Sequence, residues 1–171
     1  FTRNQLSNIP QKLFSVSFKD IKKLKINLPN RNSNKYERGR TLLIAGSNKY
    51  PGAANLTVKG AIASGNGLVK AIIPQVLANS LCHSAPEVII ADILDQSSSD
   101  NSLIANSLKR NDLNDFDSIV IGPGIGVEVD DWEKSISFLM EFKGLLILDA
   151  DALNRIARSK LKEKFFFRKR V

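Results

Sequence analysis

The chain has 171 residues, 43% of them apolar, so it can build one domain with a hydrophobic core but hardly two. No apolar stretch reaches the roughly 18 residues of a transmembrane helix, and residues 1–4 do not begin a signal peptide. We therefore expect a cytoplasmic protein with no membrane partner. Cys82 is the only cysteine, which excludes an internal disulfide, and we expect it to be a buried, reduced thiol.

The net charge of +8 is concentrated at the two ends of the chain. Residues 1–40 hold ten Lys/Arg against two Asp/Glu, and residues 158–171 hold seven against one. Residues 41–157 hold eight against fourteen, so the body of the chain is acidic. Because a nucleic-acid-binding domain carries its positive charge on a folded face, we expect no nucleic-acid partner.

Residues 1–35 show weak periodicity and end in a polar, turn-rich stretch, which indicates a linker. From residue 41 onward, short apolar runs alternate with helical patterns. The predicted strands are residues 42–45, 68–73, 88–91, 118–121 and 145–148, and the predicted helices are residues 53–64, 75–82, 102–109 and 130–142. This alternation predicts an α/β fold with a parallel sheet between two helical layers.

The first predicted helix carries small or apolar residues at steps of three and four, which we expect to form its packing face: Ala53, Leu56, Gly60 and Ala63. The pattern ends after Asn154, and residues 158–171 form an atypical basic tail with three consecutive phenylalanines. An altered reading frame or a truncated end would explain that tail.

Ligands of open parallel sheets bind beyond the carboxyl ends of the strands, so the loops after the apolar runs are the candidate sites. Residues 46–54 contain glycine and alanine pairs, which let a ligand approach the backbone and a helix N-terminus. Residues 122–126 offer a glycine turn whose N–H groups can face an anion. His83 stands apart from any nucleophile or metal-ligand pattern, and we expect it to be structural or exposed.

A third loop, residues 149–154, contains two carboxylates and an amide. Asp149, Asp151 and Asn154 could hold a hydroxyl, a sugar or a magnesium ion, and either aspartate could instead cap the next helix. None of the three loops has the glycine spacing of a dinucleotide fingerprint or a Walker A lysine.

The order of these segments resembles the NAD(P)H-hydrate dehydratase family over residues 36–157. The segments that carry the resemblance are residues 40–47, 50–54, 64–69, 85–87, 121–126 and 148–154. Residues 1–35 resemble the tail of the epimerase domain that is often fused ahead of the dehydratase. The resemblance implies a ribokinase-like, three-layer αβα fold with a mostly parallel sheet.

The resemblance also implies the activity, which is the ADP- or ATP-dependent dehydration of (S)-NAD(P)H-hydrate to NAD(P)H, with Mg²⁺ accompanying the nucleotide. Full-length members could form homo-oligomers. The residues that would bind the hydrated dinucleotide, a small-molecule partner, are Gly52, Ala53, Ala54, Gly124 and Gly126.

The family's Thr-Pro-His and Gly-Thr-Gly-Asp segments do not occur in this sequence. The second of these supplies the catalytic aspartate and a phosphate-binding helix start, so no catalytic residue is assigned. We expect a domain that is incomplete at its C-terminus, with an exposed sheet edge and little or no dehydratase activity. The alternatives are a ribokinase-like small-molecule kinase, a non-catalytic fragment, or a basic nucleic-acid binder.

Overall fold

The computed structural model describes residue 30 and residues 32–97, 102–126 and 132–161. Residues 1–31 and residues 32–171 are separate units, and every described helix and strand belongs to the second. The predicted linker, except for residue 30 and residues 32–35, lies outside the described residues. Residues 162–171, which make up most of the predicted basic tail, lie outside them too.

Five parallel strands form one sheet in the order β3-β2-β1-β4-β5. The strands are β1 (Arg40–Ile44), β2 (Leu68–Pro74), β3 (Ile89–Leu94), β4 (Ser118–Ile121) and β5 (Leu145–Leu148). All five predicted strands are confirmed: β4 and β5 have the predicted bounds, and the bounds of the other three differ by one to three residues. The apolar runs form strands because parallel strands with helices on both sides bury both faces.

A helix follows each strand. The helices are α1 (Pro51–Ala63), α2 (Ala78–Ser84), α3 (Leu103–Arg110), α4 (Trp132–Glu141) and α5 (Ala150–Arg158), with 3₁₀ turns at Gln75–Leu77 and Leu113–Asp115. No helix of the described residues is long and apolar enough to cross a membrane. The last helix continues to Arg158, so the expectation that the pattern ends after Asn154 was wrong. Ala152 and Ile156 lie four residues apart on its buried face and extend the helix.

The hydrophobic core has two halves, one on each side of the sheet. Leu42 and Ile44 of β1 point into a cluster with residues of α3, α4 and α5. Leu43 and Ala45 point the other way, into a cluster with residues of α1 and α2. This alternation confirms the predicted three-layer arrangement, since successive side chains of a strand face opposite sides of the sheet.

The packing face of α1 differs from the predicted one. Ala54 and Val58 are the buried residues of this helix, whereas Leu56 is 74% exposed. Nothing lies within 4 Å of a Cβ atom built on Gly60. The predicted face was therefore wrong by about one residue. Small side chains can lie on a buried or an exposed face, so their spacing alone does not show which face of a helix is buried.

Cys82 was also predicted wrongly, because its position on α2 is exposed. The helix has only seven residues, and Leu81 is its buried side chain. The adjacent positions 82 and 83 then point away from the sheet. His83 was expected to be structural or exposed, and it is exposed.

The topology creates a crevice at the centre of the sheet. From β1 the chain moves outward through β2 and β3, then crosses to the other side of β1 for β4 and β5. The connections that leave β1 and β4 therefore turn to opposite faces of the sheet. Ligand sites of open α/β sheets form at such a switch point.

The β5 side of the sheet remains partly uncovered. Among the described strands, β5 pairs with β4 alone. Leu145 is 64% exposed and Ile147 is 42% exposed, although both are large apolar residues. The expected exposed sheet edge is thus present in the described part of the chain.

Candidate functional site

The loops after β1 and β4 meet at the switch point. We call residues 45–50 the β1 loop and residues 122–126 the β4 loop. The N–H of Gly46 donates a 2.8 Å hydrogen bond to the carbonyl oxygen of Pro123. The register of the two strands sets this contact, since Ile44 pairs with Ile121 at the point where both strands end.

The start of α1 lies directly against the β4 loop. A Cβ atom built on Gly124 would come within 2.5 Å of the Cβ of Ala53 and 3.0 Å of the Cβ of Tyr50. Gly124 also has a φ of +66°, a conformation that side-chain-bearing residues rarely adopt. Only glycine fits at this position, so the structure brings together two of the predicted substrate-binding residues.

Three further predicted residues lie around this contact in different ways. Gly52 is exposed in the first turn of α1, and a Cβ atom there would meet nothing within 4 Å. Ala54 is fully buried, and its Cβ lies 2.8 Å from a Cβ built on Gly46, so its side chain packs inward. The N–H of Gly126 donates to Oδ2 of Asp151 at 2.9 Å, and is therefore engaged within the chain.

The β4 loop nonetheless has an N–H group that points to no internal acceptor. Gly124 donates no hydrogen bond to any residue that the structure describes. This amide belongs to the residue whose Cβ position is closed by the methyl group of Ala53. A ligand oxygen could approach it closely, because neither residue carries a bulky side chain.

The three predicted polar contacts lie at the start of α5 and not in a loop, since Asp151 and Asn154 belong to the helix and Asp149 is its N-cap residue. Asp149 is exposed at the N-cap position of α5 and its side chain makes no capping hydrogen bond. Ala150 has a φ of 42°, a strained value for a residue with a side chain. Asp151 binds the β4 loop, and Asn154 is exposed. Within the described ranges, no group of three or more His, Cys, Asp or Glu residues could hold a metal ion.

Two residues of the site were missed by sequence reasoning. Gln96, in the loop after β3, accepts a 2.6 Å hydrogen bond from the N–H of Asn48 through its Oε1. Arg155 of α5 donates from Nε to the carbonyl oxygen of Gly126 at 2.7 Å. A glutamine in a loop has no distinctive sequence pattern. Asp151 and Arg155, however, are four residues apart, a spacing that places two side chains on one face of a helix, so Arg155 could have been predicted.

The clearest electrostatic feature lies at the opposite end of the sheet. The side chain of Arg40 donates to Asp117 at 3.3 Å, and the backbone N–H of Arg40 donates to the same carboxylate at 2.8 Å. These hydrogen bonds, the side-chain one first, hold the pKa of Asp117 below its usual value. The pair joins the amino ends of β1 and β4, so it bears on stability and not on the crevice.

A cavity of about 560 Å³ also lies away from the switch point. It opens between the end of α3 and the end of α4, near residues 108–114, which precede β4. None of the predicted site residues lines it. The crevice is the candidate functional site instead, because the loops at the carboxyl ends of the strands converge there.

Comparison with known proteins agrees with the motif order and the fold. A family model described as NAD(P)H-hydrate dehydratase matches residues 41–170. The chain is 35% identical over 129 residues to the bifunctional NAD(P)H-hydrate repair enzyme of Synechocystis sp., a match that covers 75% of this chain and 23% of that protein. The chain thus spans about a quarter of the length of that relative.

Solved structures show the same architecture. The ADP/ATP-dependent NAD(P)H-hydrate dehydratase of Bacillus subtilis, crystallised with ATP/Mg²⁺ and soaked with CoA, superposes with a TM-score of 0.57 at 27% identity, covering 74% of this chain and 42% of that one. A ribokinase-like superfamily protein of Enterococcus faecalis gives a TM-score of 0.57 at 24% identity, covering 77% and 43%. The fold is therefore ribokinase-like α/β, and this chain belongs to the NAD(P)H-hydrate dehydratase family.

Proposed function

We propose that these residues form the part of an ADP/ATP-dependent NAD(P)H-hydrate dehydratase that holds the hydrated dinucleotide. The observation that carries this proposal is the contact between Ala53 and Gly124 at the switch point. Both are positions that the family resemblance assigns to the substrate, and the fold brings them together from segments about seventy residues apart in the chain.

Three features of the crevice suit an anionic dinucleotide. The N–H of Gly124 has no acceptor among the described residues, so it can donate to a phosphate or ribose oxygen. The side chains at the contact are small, so the backbone itself forms the wall of the site. Tyr50, 46% exposed at the end of the β1 loop, adds an aromatic surface at the same edge.

The proposed reaction removes water that has added across the 5,6 double bond of the nicotinamide ring. Hydroxide is a poor leaving group. Transfer of a phosphoryl group from ATP or ADP to the ring hydroxyl converts it into a phosphate ester. Loss of phosphate together with a ring proton then restores the double bond.

The described residues take a limited part in this reaction. None of them is assigned as the base that accepts the ring proton. Mg²⁺ is expected with the nucleotide, but the described ranges hold no three-member group of metal-binding side chains, so no residue is assigned to it. Low dehydratase activity of the 171 residues alone, a cytoplasmic location and homo-oligomers of full-length family members stay predictions.

Equilibrium binding of NADH hydrate tests the proposal. Isothermal titration of the 171-residue chain should give saturable binding, and Ala53→Leu should abolish it, since the larger side chain enters the space beside Gly124. Leu56→Ala is the matched control, because Leu56 lies on the same helix but is exposed. This variant should bind NADH hydrate as the unaltered chain does. Absence of binding to the unaltered chain would contradict the proposal. Binding of a hydroxymethyl compound in place of NADH hydrate would favour the small-molecule kinase.

A further inference from the structure

The peptide group between Ile125 and Gly126 is held by two side chains of α5. Oδ2 of Asp151 accepts the N–H of Gly126 at 2.9 Å. From the same helix, Arg155 donates Nε to the carbonyl oxygen of Gly126 at 2.7 Å and Nη2 to that of Ile125 at 3.3 Å. Asp151 and Arg155 are four residues apart, so they project from one face of α5.

The buried environment of Arg155 requires an arginine at this position. The residue is only 9% exposed, and its guanidinium carbon lies 5.3 Å from the centre of the Trp132 ring. A buried guanidinium is costly unless its N–H groups are hydrogen-bonded, and two backbone carbonyls accept from this one. A lysine would bring one ammonium group instead of a planar fork, and could not reproduce both contacts.

The hydrogen bond at Gly126 also affects Gly124, two residues earlier in the β4 loop. Because Asp151 takes the N–H of Gly126, that amide is removed from the surface that a ligand could use. The next glycine back, Gly124, keeps its N–H without an acceptor among the described residues and lies against Ala53. Fixing one end of a five-residue loop restricts the orientation of the amide in its middle.

We propose that Asp151 and Arg155 are positioning residues of the dinucleotide site: they hold the β4 loop so that the Gly124 amide faces the ligand. This inference rests on the proposed function and extends it to α5. It also gives Asp151 a different part from the polar or metal contact expected from the sequence. The two side chains act through the loop and touch no ligand atom.

Asp151 variants provide the first test, read by titration with NADH hydrate and by amide hydrogen exchange at Gly126. Asp151→Ala should weaken binding about tenfold and speed the exchange of the Gly126 amide. Asp151→Asn keeps an acceptor oxygen of the same size and should restore both. Rescue by asparagine separates positioning from a charge that contacts the ligand.

Arg155→Lys provides the second test, with Arg158→Lys as its control because Arg158 is exposed on the same helix. Arg155→Lys should weaken binding by about tenfold, while the control binds as the unaltered chain does. Unchanged affinity in Asp151→Ala, with faster Gly126 exchange, would overturn this inference and leave the proposed function intact. Failure of the unaltered chain to bind NADH hydrate would overturn both.

Discussion

The Cβ of Ala53 lies 2.5 Å from the position that a Cβ atom would take on Gly124. This relationship joins the first turn of α1 to the β4 loop across the switch point of the sheet. It excludes any side chain at position 124. It also packs a methyl group against Gly124, whose amide has no acceptor among the described residues.

Gly124→Ala should lower the free energy of unfolding by about 3 kcal/mol, because a left-handed backbone and a clash with Ala53 add together. The control is Gly65→Ala, where φ is +87° but a Cβ atom meets nothing within 4 Å. It should cost about 1 to 2 kcal/mol from backbone strain alone. Urea unfolding of the two variants measures the difference, and equal losses would show that Ala53 does not restrict position 124.

The observed packing face of α1 predicts opposite outcomes at two positions two residues apart. Val58→Ala should cost about 1 to 3 kcal/mol, since Val58 is 1% exposed in the core. Leu56→Lys should change the unfolding free energy by less than about 0.5 kcal/mol, because Leu56 is 74% exposed. If thermal or urea unfolding gave the larger loss for Leu56→Lys, the helix would present the face that the sequence pattern indicated.

Stability should depend on pH through the Arg40–Asp117 pair. Hydrogen bonds from Arg40 lower the pKa of Asp117 in the folded chain. The pair therefore stabilises the fold above the ordinary aspartate pKa of 3.8, and this contribution is lost as the pH falls through the lower folded value. The carboxylate is 54% exposed, so solvent screening limits the effect to about 1 kcal/mol or less.

Asp117→Asn and Arg40→Gln check this pH dependence. Either change should remove the same part of the acid-induced loss of stability, which urea unfolding at a series of pH values would show. A difference between the unaltered chain and Asp117→Asn that stays constant as the pH falls would mean that the pair does not lower this pKa.

Gln96→Ala should loosen the β1 loop locally. The side-chain oxygen of Gln96 accepts the N–H of Asn48 at 2.6 Å, and its loss should cost about 1 kcal/mol of local stability. Amide exchange at Asn48 should become faster, while the global unfolding free energy changes little. Gln75→Ala, at an exposed position of the 3₁₀ turn after β2, is the control. Protection of Asn48 that is equal in both variants would argue against the contact.

The sequence contained enough information to predict the order of elements, whereas the location of the site stays a prediction. The apolar runs around Leu43 and Val120 are short, β-branched or aliphatic and bounded by glycine turns, so their burial between helices could be predicted. The three glycines of the turn after β4 predicted a left-handed backbone at the carboxyl end of that strand, and all three have positive φ. Apolar runs and glycine turns are local patterns, so a single sequence is enough to recognise them.

Details that depend on tertiary contacts could not be predicted from the sequence in the same way. The face of α1 was misplaced because alanine and glycine give a weak periodic signal, and Leu56 is exposed despite its hydrophobicity. Cys82 was assigned to the core from residue type, whereas its direction depends on which neighbour, Leu81, packs inward. The hydrogen bond from Gly126 to Asp151 joins segments 25 residues apart, and only the fold shows that they meet.

A backbone amide NMR titration of the 171-residue chain with NADH hydrate shows directly whether the dinucleotide binds at the switch point. Chemical-shift changes should concentrate in residues 45–54 and 122–126, with the change at Gly124 among the largest. Residues 108–114, at the other end of the sheet, should be unaffected. Changes centred on residues 108–114, or none at Gly124, would contradict binding at the switch point.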